Sequence, residues 1–244
     1  MTEEEMAYQL QQAGWGVYHP TQFRIDIERE FFALWEQVEA YTMTSIERGY
    51  ALYKAVEYII EKNIPGCFAE CGVWKGGSCM LSALTALRLG ASDRQIYLYD
   101  TFTGMPEPSE HDRVAWNNQS MRERGTEDLA SWAVPADEVM QDLLSTGYPA
   151  EQIKLVQGKV EETLQRNVPE RIALLRLDTD WYESTAYELE VLYPRLSPGG
   201  VLIIDDYGHF TGARKAVDEY FSTSGSNIFL SRIDYTGRIG VKQA

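Results

Sequence analysis

From Cys67 onward, short apolar runs alternate with longer stretches of helical periodicity, and this rhythm constrains the fold more than any other feature of the chain. The apolar runs are "CFAECGV" (67–73), "IYLYDTF" (96–102), "IKLVQGKV" (153–160), "IALLRLD" (172–178) and "GVLIIDD" (200–206). Helical spacing is expected between them, near Ser78–Leu89, Asp137–Ser145, Glu183–Arg195 and Thr211–Ser222. Strands that return through helices must run parallel, so the pattern predicts an α/β fold with helices on both faces of one sheet. The end of the chain breaks the rhythm. "IFLSRID-YTG-RIGVKQ" (228–243) reads as two strands around a tight turn at Gly237, an antiparallel hairpin at the sheet edge.

The first 65 residues read as a helical cap, with apolar positions at helical spacing over Ile25–Tyr41 and Ser45–Asn63 and a break at "YTMTS" between them. Residues 66–244 form the sheet-bearing core, and no linker divides the two into separate domains. The polar segment 104–135 has no regular pattern; connections of that length are commonly lids or binding elements.

Composition excludes several partners. The 244 residues are 44% hydrophobic with a net charge of −15, which disfavours nucleic acid and anionic membrane surfaces alike. No apolar run approaches a membrane span, and the acidic start "MTEEEMAYQL" does not resemble a signal peptide, so a cytoplasmic protein is expected. Cys67, Cys71 and Cys79 are odd in number and match no zinc spacing; reduced core thiols are expected.

Ligands of open α/β sheets bind at the carboxyl ends of the strands. The first such end, "AECGVWKGGSC" (69–79), carries Gly72, Gly76 and Gly77, which admit a ligand close to the backbone, and Ser78 opens the next helix. Its spacing is neither G-x-G-x-x-G nor a P-loop. Glu70 can accept from an ammonium group and would repel a pyrophosphate, while Asp100 ends the second strand, placed for two ribose hydroxyls. A tight turn by itself requires neither acid. Ammonium, carboxylate and ribose together describe S-adenosylmethionine better than a dinucleotide.

Two further strand ends gather acids: Asp178 and Asp180 in "LLRLDTDWYEST" (174–185), and Asp205 and Asp206 in "VLIIDDYGHF" (201–210). Each aspartate alone could be a helix N-cap, before Glu183 or Thr211. Four in one cleft would raise each other's pKa unless a cation neutralised them. Oxygen-only ligands suit Mg²⁺, Mn²⁺ or Ca²⁺. His209 and His111 could touch an acceptor or act as auxiliary bases, with a hydrogen-bonded surface histidine as the alternative. Trp74, Trp116, Trp132, Trp181 and Tyr182 could stack on a ligand or pack in the core.

"ECGVWKGGS", "YDTFTGMPEP…EHD", "LLRLDTDWYEST" and "SPGGVLIIDDYGHFTGARKAVDEYF" together resemble the macrocin O-methyltransferase family over residues from about 41 to the C-terminus. The resemblance implies a Rossmann-like class I methyltransferase fold with a mainly parallel seven-stranded sheet and an N-terminal helical extension. It implies an S-adenosylmethionine-dependent O-methyltransferase acting on a sugar hydroxyl of a natural product or glycan, in antibiotic biosynthesis, as a homodimer. Glu70, Gly72 and Ser78 would contact the methionine part of the cofactor, with Met43 and Ser45 closing over it. Asp100 would bind the ribose, Gly158 and Val160 would border the adenine, and Asp178 would lie at the cofactor as well. Asp178, Asp205 and Asp206 would hold Mg²⁺ or Mn²⁺, and Asp180 would be the general base, with His209 beside it. Catechol-type relatives carry a lysine after the first metal aspartate; Thr179 stands here. A phenolic acceptor, or a protein that binds S-adenosylmethionine without turnover, are the competing readings.

Overall fold

A computed structural model of the chain describes residues 1–17 and 26–243. Two compact units are present, Met1–Ala33 and Leu34–Ala244. In the first, helix α1 (Glu3–Gln12) starts on a reciprocal cap: the Thr2 hydroxyl accepts from the Glu5 amide and the Glu5 carboxylate accepts from the Thr2 amide. Helix α2 is Arg29–Val38. The start of the helix expected from Ile25 lies outside the described residues.

The second unit holds α3 (Ile46–Glu61), β1 (Cys67–Cys71), α4 (Gly77–Arg88), β2 (Ile96–Asp100), α5 (Thr126–Ala130), α6 (Ala136–Ser145), β3 (Ile153–Gln157) and α7 (Val160–Thr163). It continues with β4 (Ile172–Leu177), α8 (Tyr182–Leu192), β5 (Leu196–Ile204), α9 (Thr211–Thr223), β6 (Ser231–Arg232) and β7 (Arg238–Val241). The seven strands form one sheet in the order β3-β2-β1-β4-β5-β7-β6. β1 to β5 are parallel; β7 runs antiparallel to β5, and β6 to β7. β1 and β4 are buried along their whole length, as strands covered by helices on both faces must be.

The winding reverses between β1 and β4. From β1 the chain steps outward through β2 to β3, then returns to β4 on the other side. A crevice opens at the carboxyl ends of the strands at such a switch point. The ladder continues one bond past each strand end: Gly72 N donates to Tyr99 O, Asp178 N to Cys71 O, Asp205 N to Leu177 O and Gly158 N to Asp100 O, all at 2.8–2.9 Å. These bonds bring Gly72, Asp178, Asp205 and Gly158 to one rim.

Several expected elements change length. Strands β1, β4 and β5 stop just before Gly72, Asp178 and Asp205, whereas β2 ends on Asp100 itself. Val160 opens the short helix α7 instead of ending β3, and β5 begins earlier, at Leu196. The expected hairpin strands shrink, because the Asp234 carboxylate folds the chain early by accepting from the amides of Thr236 and Gly237. Segment 104–135 is not featureless. It contains α5, bridges Val114 to Phe210, and is anchored by the fully buried Asp112. Among the described residues no helix is long and apolar enough to cross a membrane.

Candidate active site

β1 can pass the end of β4 only because residue 72 is a glycine. A Cβ there would lie 2.0 Å from the Asp178 carbonyl oxygen, and the backbone adopts φ +82°. Asp100 ties the following turn to β2. Its Oδ2 accepts from the amides of Val73 (2.7 Å) and Trp74 (3.1 Å), and its Oδ1 from Phe102 (2.8 Å). This corrects the expectation that the turn requires no acid at Asp100: the carboxylate is what holds the turn.

The acids at the ends of β1, β4 and β5 meet around a guanidinium, that of Arg176, which is not among the expected site residues. Arg176 on β4 is 2% exposed. It donates to Glu70 Oε1 (2.7 Å), Asp178 Oδ2 (2.6 Å), Asp205 Oδ1 (2.5 Å) and Thr44 Oγ1 (3.0 Å). Arg48 on α3 pairs with the other Asp205 oxygen and, at 3.0 Å, with Asp234. Burial opposes the charge on both arginines, but the surrounding aspartates outweigh it and raise both above the usual guanidinium value. The signal was present in the sequence. A lone arginine in the apolar run "IALLRLD" stands two residues before Asp178 and therefore points to the same side.

Arginine does not neutralise the whole set. Asp206 lies within hydrogen-bonding reach of both Asp178 and Asp180. Burial, reinforced by the neighbouring acids, raises Asp178 and Asp206 well above the ordinary carboxylate range. Burial, with Asp178 and Asp205 close by, pushes Asp180 up to about 8. Glu70 is also raised by burial, although Arg176 and the Cys79 thiol, 3.0 Å from Oε2, pull it back.

None of the four aspartates caps a helix. α8 follows Trp181 and α9 follows Phe210, neither with a side-chain cap of its own. The first amide of α8, on Tyr182, donates instead to Asp112 Oδ1 at 2.8 Å. Asp180 occupies the centre of a γ-turn: Trp181 N donates to Thr179 O at 2.8 Å while Asp180 has φ +68°. A non-glycine residue held there costs on the order of 1–3 kcal/mol. Trp181, buried against Phe210 and donating from Nε1 to Pro106 O, closes the far side of the turn.

Two cavities meet at Asp178. One, of about 200 Å³, is lined by Thr42, Met43, Thr44, Arg48, Glu70, Ser78, Trp74, Trp132, all four aspartates, His209 and Tyr235. The other, of about 50 Å³ and mostly apolar, is lined by Gly72, Asp100, Gly104, Gly158, Val160, Asp178 and Thr179. Of the residues singled out in the sequence, Ser45 is absent from both linings. Its hydroxyl accepts from the Arg48 amide at the start of α3 and donates to Asp234. His209 faces the larger cavity, with Nδ1 2.9 Å from the Tyr235 hydroxyl and its ring 4.7 Å from that of Trp116. Burial and the nearby Arg48 and Arg124 lower its pKa, keeping it neutral at pH 7. His111 lies elsewhere, edge-on against Tyr182.

The donor set suits a hard divalent cation. Asp178, Asp205 and Asp206 each have one carboxylate oxygen within 4.8 Å of the others', and Asp205 would exchange one of its two arginine contacts for the cation. The two cavities also suit S-adenosylmethionine, with an apolar end beside Gly158 and Val160 and a charged end at Glu70.

Comparison with known proteins identifies the family. The family described as Macrocin-O-methyltransferase (TylF) matches residues 12–240. The 8-demethyl-8-(2,3-dimethoxy-alpha-L-rhamnosyl)-tetracenomycin-C 4'-O-methyltransferase of Streptomyces olivaceus is 35% identical over 203 residues, 83% of this chain and 76% of the relative. The mycinamicin III 3''-O-methyltransferase of Micromonospora griseorubida is 31% identical over 198 residues, 81% of this chain and 77% of the relative. Among solved structures, the O-methyltransferase NovP superposes with a TM-score of 0.75 at 31% identity, covering 84% of this chain and 83% of NovP.

Proposed function

We propose, from the premise that this chain belongs to the macrocin O-methyltransferase family and is an O-methyltransferase, that it methylates a sugar hydroxyl of a glycosylated natural product. The methyl donor in this reading is S-adenosylmethionine, and a divalent cation, Mg²⁺ or Mn²⁺, sits beside it. One observation carries the reading: a three-carboxylate group within 4.8 Å opens onto the same cavity as Asp180, Glu70 and Ser78. The relatives named for rhamnosylated tetracenomycin and for mycinamicin III support the acceptor class.

In this reading Glu70 and Ser78 hold the methionine end, and Gly72, Asp100, Gly158 and Val160 border the nucleoside. Asp178, Asp205 and Asp206 hold the cation, which when bound supplies Lewis acidity that eases loss of the acceptor hydroxyl proton. Asp180 accepts that proton. Its carboxyl, pushed up to about 8 by burial, lies in the range where a general base works best near neutral pH. His209 and Tyr235 line the acceptor side. Fixing donor and acceptor in line supplies much of the remaining acceleration. The same reading makes the protein a cytoplasmic homodimer, which light scattering tests.

The test is methyl transfer from S-adenosylmethionine to a panel of glycosides bearing deoxysugars, with phenols alongside. Glycoside methylation that stops in EDTA and returns with Mg²⁺ supports the reading. Asp180→Asn should lower kcat at least a hundredfold, the scale of general-base catalysis, with cofactor affinity unchanged. Full activity in EDTA, or turnover of phenols alone, refutes it.

A further inference from the structure

Glu188 on α8 is an acid that none of the chemistry above uses, although it is 0% exposed. Its Oε1 accepts the Thr179 hydroxyl at 2.9 Å, while its Oε2 makes no hydrogen bond of normal geometry among the described residues, with only the weakly donating Cys71 thiol close by. A buried carboxylate with so weakly partnered an oxygen opposes folding, and an apolar side chain of similar length would pack there at lower cost. Thr179 separates Asp178 from Asp180. Its carbonyl closes the γ-turn through Trp181 N, so the hydroxyl bond to Glu188 is the second point at which the residue is fixed. On one side of it, Asp178 is fixed to β1 through Cys71 O. On the other, Asp180 sits at φ +68°, a backbone state that relaxes unless its neighbours hold it.

We propose that Glu188 is a positioning residue: through the Thr179 hydroxyl it locks the Asp178–Asp180 turn, and so sets the aim of two carboxylates it does not itself touch. The proposal rests on the reading that Asp178 is a cation ligand. Glu188 reaches the centre from the helix behind the turn, a second layer of contact of the kind that orients metal-binding side chains elsewhere.

The experiment compares Glu188→Leu, Glu188→Gln, Thr179→Val and the double variant Thr179→Val/Glu188→Leu. It measures Mn²⁺ affinity by calorimetry and thermal stability on the intact chain. Glu188→Leu and Thr179→Val should each weaken Mn²⁺ binding about tenfold or more, the range found for lost outer-layer partners. The double variant should be no weaker than either single one, because both remove the same lock. Glu188→Gln retains an acceptor for the Thr179 hydroxyl and should bind Mn²⁺ close to wild type. Glu188→Leu should melt no lower than wild type, so that lost affinity is separated from lost fold; if it does not fold, Thr179→Val alone decides. Wild-type Mn²⁺ affinity in Thr179→Val or Glu188→Leu overturns the proposal, as do additive losses in the double variant. A wild-type protein that binds no Mn²⁺ overturns the cation reading beneath it, a distinct result.

Discussion

Replacing Arg176 by methionine removes the cation around which Glu70, Asp178 and Asp205 are arranged, at 2.7, 2.6 and 2.5 Å. Removing one partner of a buried ion pair typically costs about 3–5 kcal/mol, because the other charge is left unpaired. Here Asp205 keeps Arg48 and Glu70 keeps the Cys79 thiol, which places the loss at the lower end, about 3 kcal/mol. For a chain of this size each kcal/mol corresponds to roughly 2–4 °C, so the melting temperature should fall by about 6–12 °C at pH 7. Differential scanning fluorimetry and urea titration measure it. The deficit has a definite pH dependence. Glu70 and Asp178 are already raised by burial, and without Arg176 they rise further. Acids raised in the folded state keep protons that the unfolded chain has released, so the variant gains stability as pH falls through their folded values toward the ordinary carboxylate range. The gap to wild type should therefore narrow in acid, and narrow again with Mg²⁺. Arg176→Lys should recover part of the stability but not the three-way geometry, because an ammonium cannot spread its donors as a planar fork does. A loss below about 1 kcal/mol at pH 7, the scale of an exposed pair, would refute the claim that this arginine organises the acids.

Gly72→Ala places a Cβ 2.0 Å from the Asp178 carbonyl at φ +82°; it should cost about 2–4 kcal/mol and abolish S-adenosylhomocysteine binding by calorimetry, and retained binding would contradict the packing argument. Burial pushes the Cys67 thiol up to about 12 and the Cys71 and Cys79 thiols well above their usual value. Thiol titration at pH 8 should therefore find none reactive in the folded protein and all 3 after guanidinium. Lys242 donates to the carbonyls of Tyr193 (3.0 Å) and Leu196 (2.7 Å); Lys242→Met should lower stability by about 1–2 kcal/mol in urea with methyl transfer unchanged.

The sheet was legible because alternating strand and helix periods leave few topologies, and β1 to β5 fall where the apolar runs fall. The site was legible where an acid or glycine ends a strand: Glu70, Gly72, Asp178, Asp205, Asp206 and Gly158 all reach the rim or the cavities. Long-range pairings were not. Arg48 meets Asp205 across 157 residues, and no local pattern announces it. Asp112, in the polar segment 104–135, caps α8 from 70 residues away. The hairpin was overdrawn because its sequence carries strand propensity throughout, whereas the Asp234 side chain spends the middle of it on a turn.

Asp178 and Asp180 line one cavity through a backbone geometry that a strand would not give. Two residues apart on an extended strand, their side chains would share a side. β4 has ended by then, at Leu177, and a γ-turn brings the two carboxylates together. The difference matters for function. On a strand, position 180 would suit many residues, and an aspartate there would say little. At φ +68° glycine would relieve the strain that any side chain imposes. An aspartate at that position is therefore held against both backbone preference and burial, in a cavity where five carboxylates face two guanidiniums. Such an arrangement destabilises the chain unless the excess negative charge is used, by a cation at one end of the turn and a proton at the other.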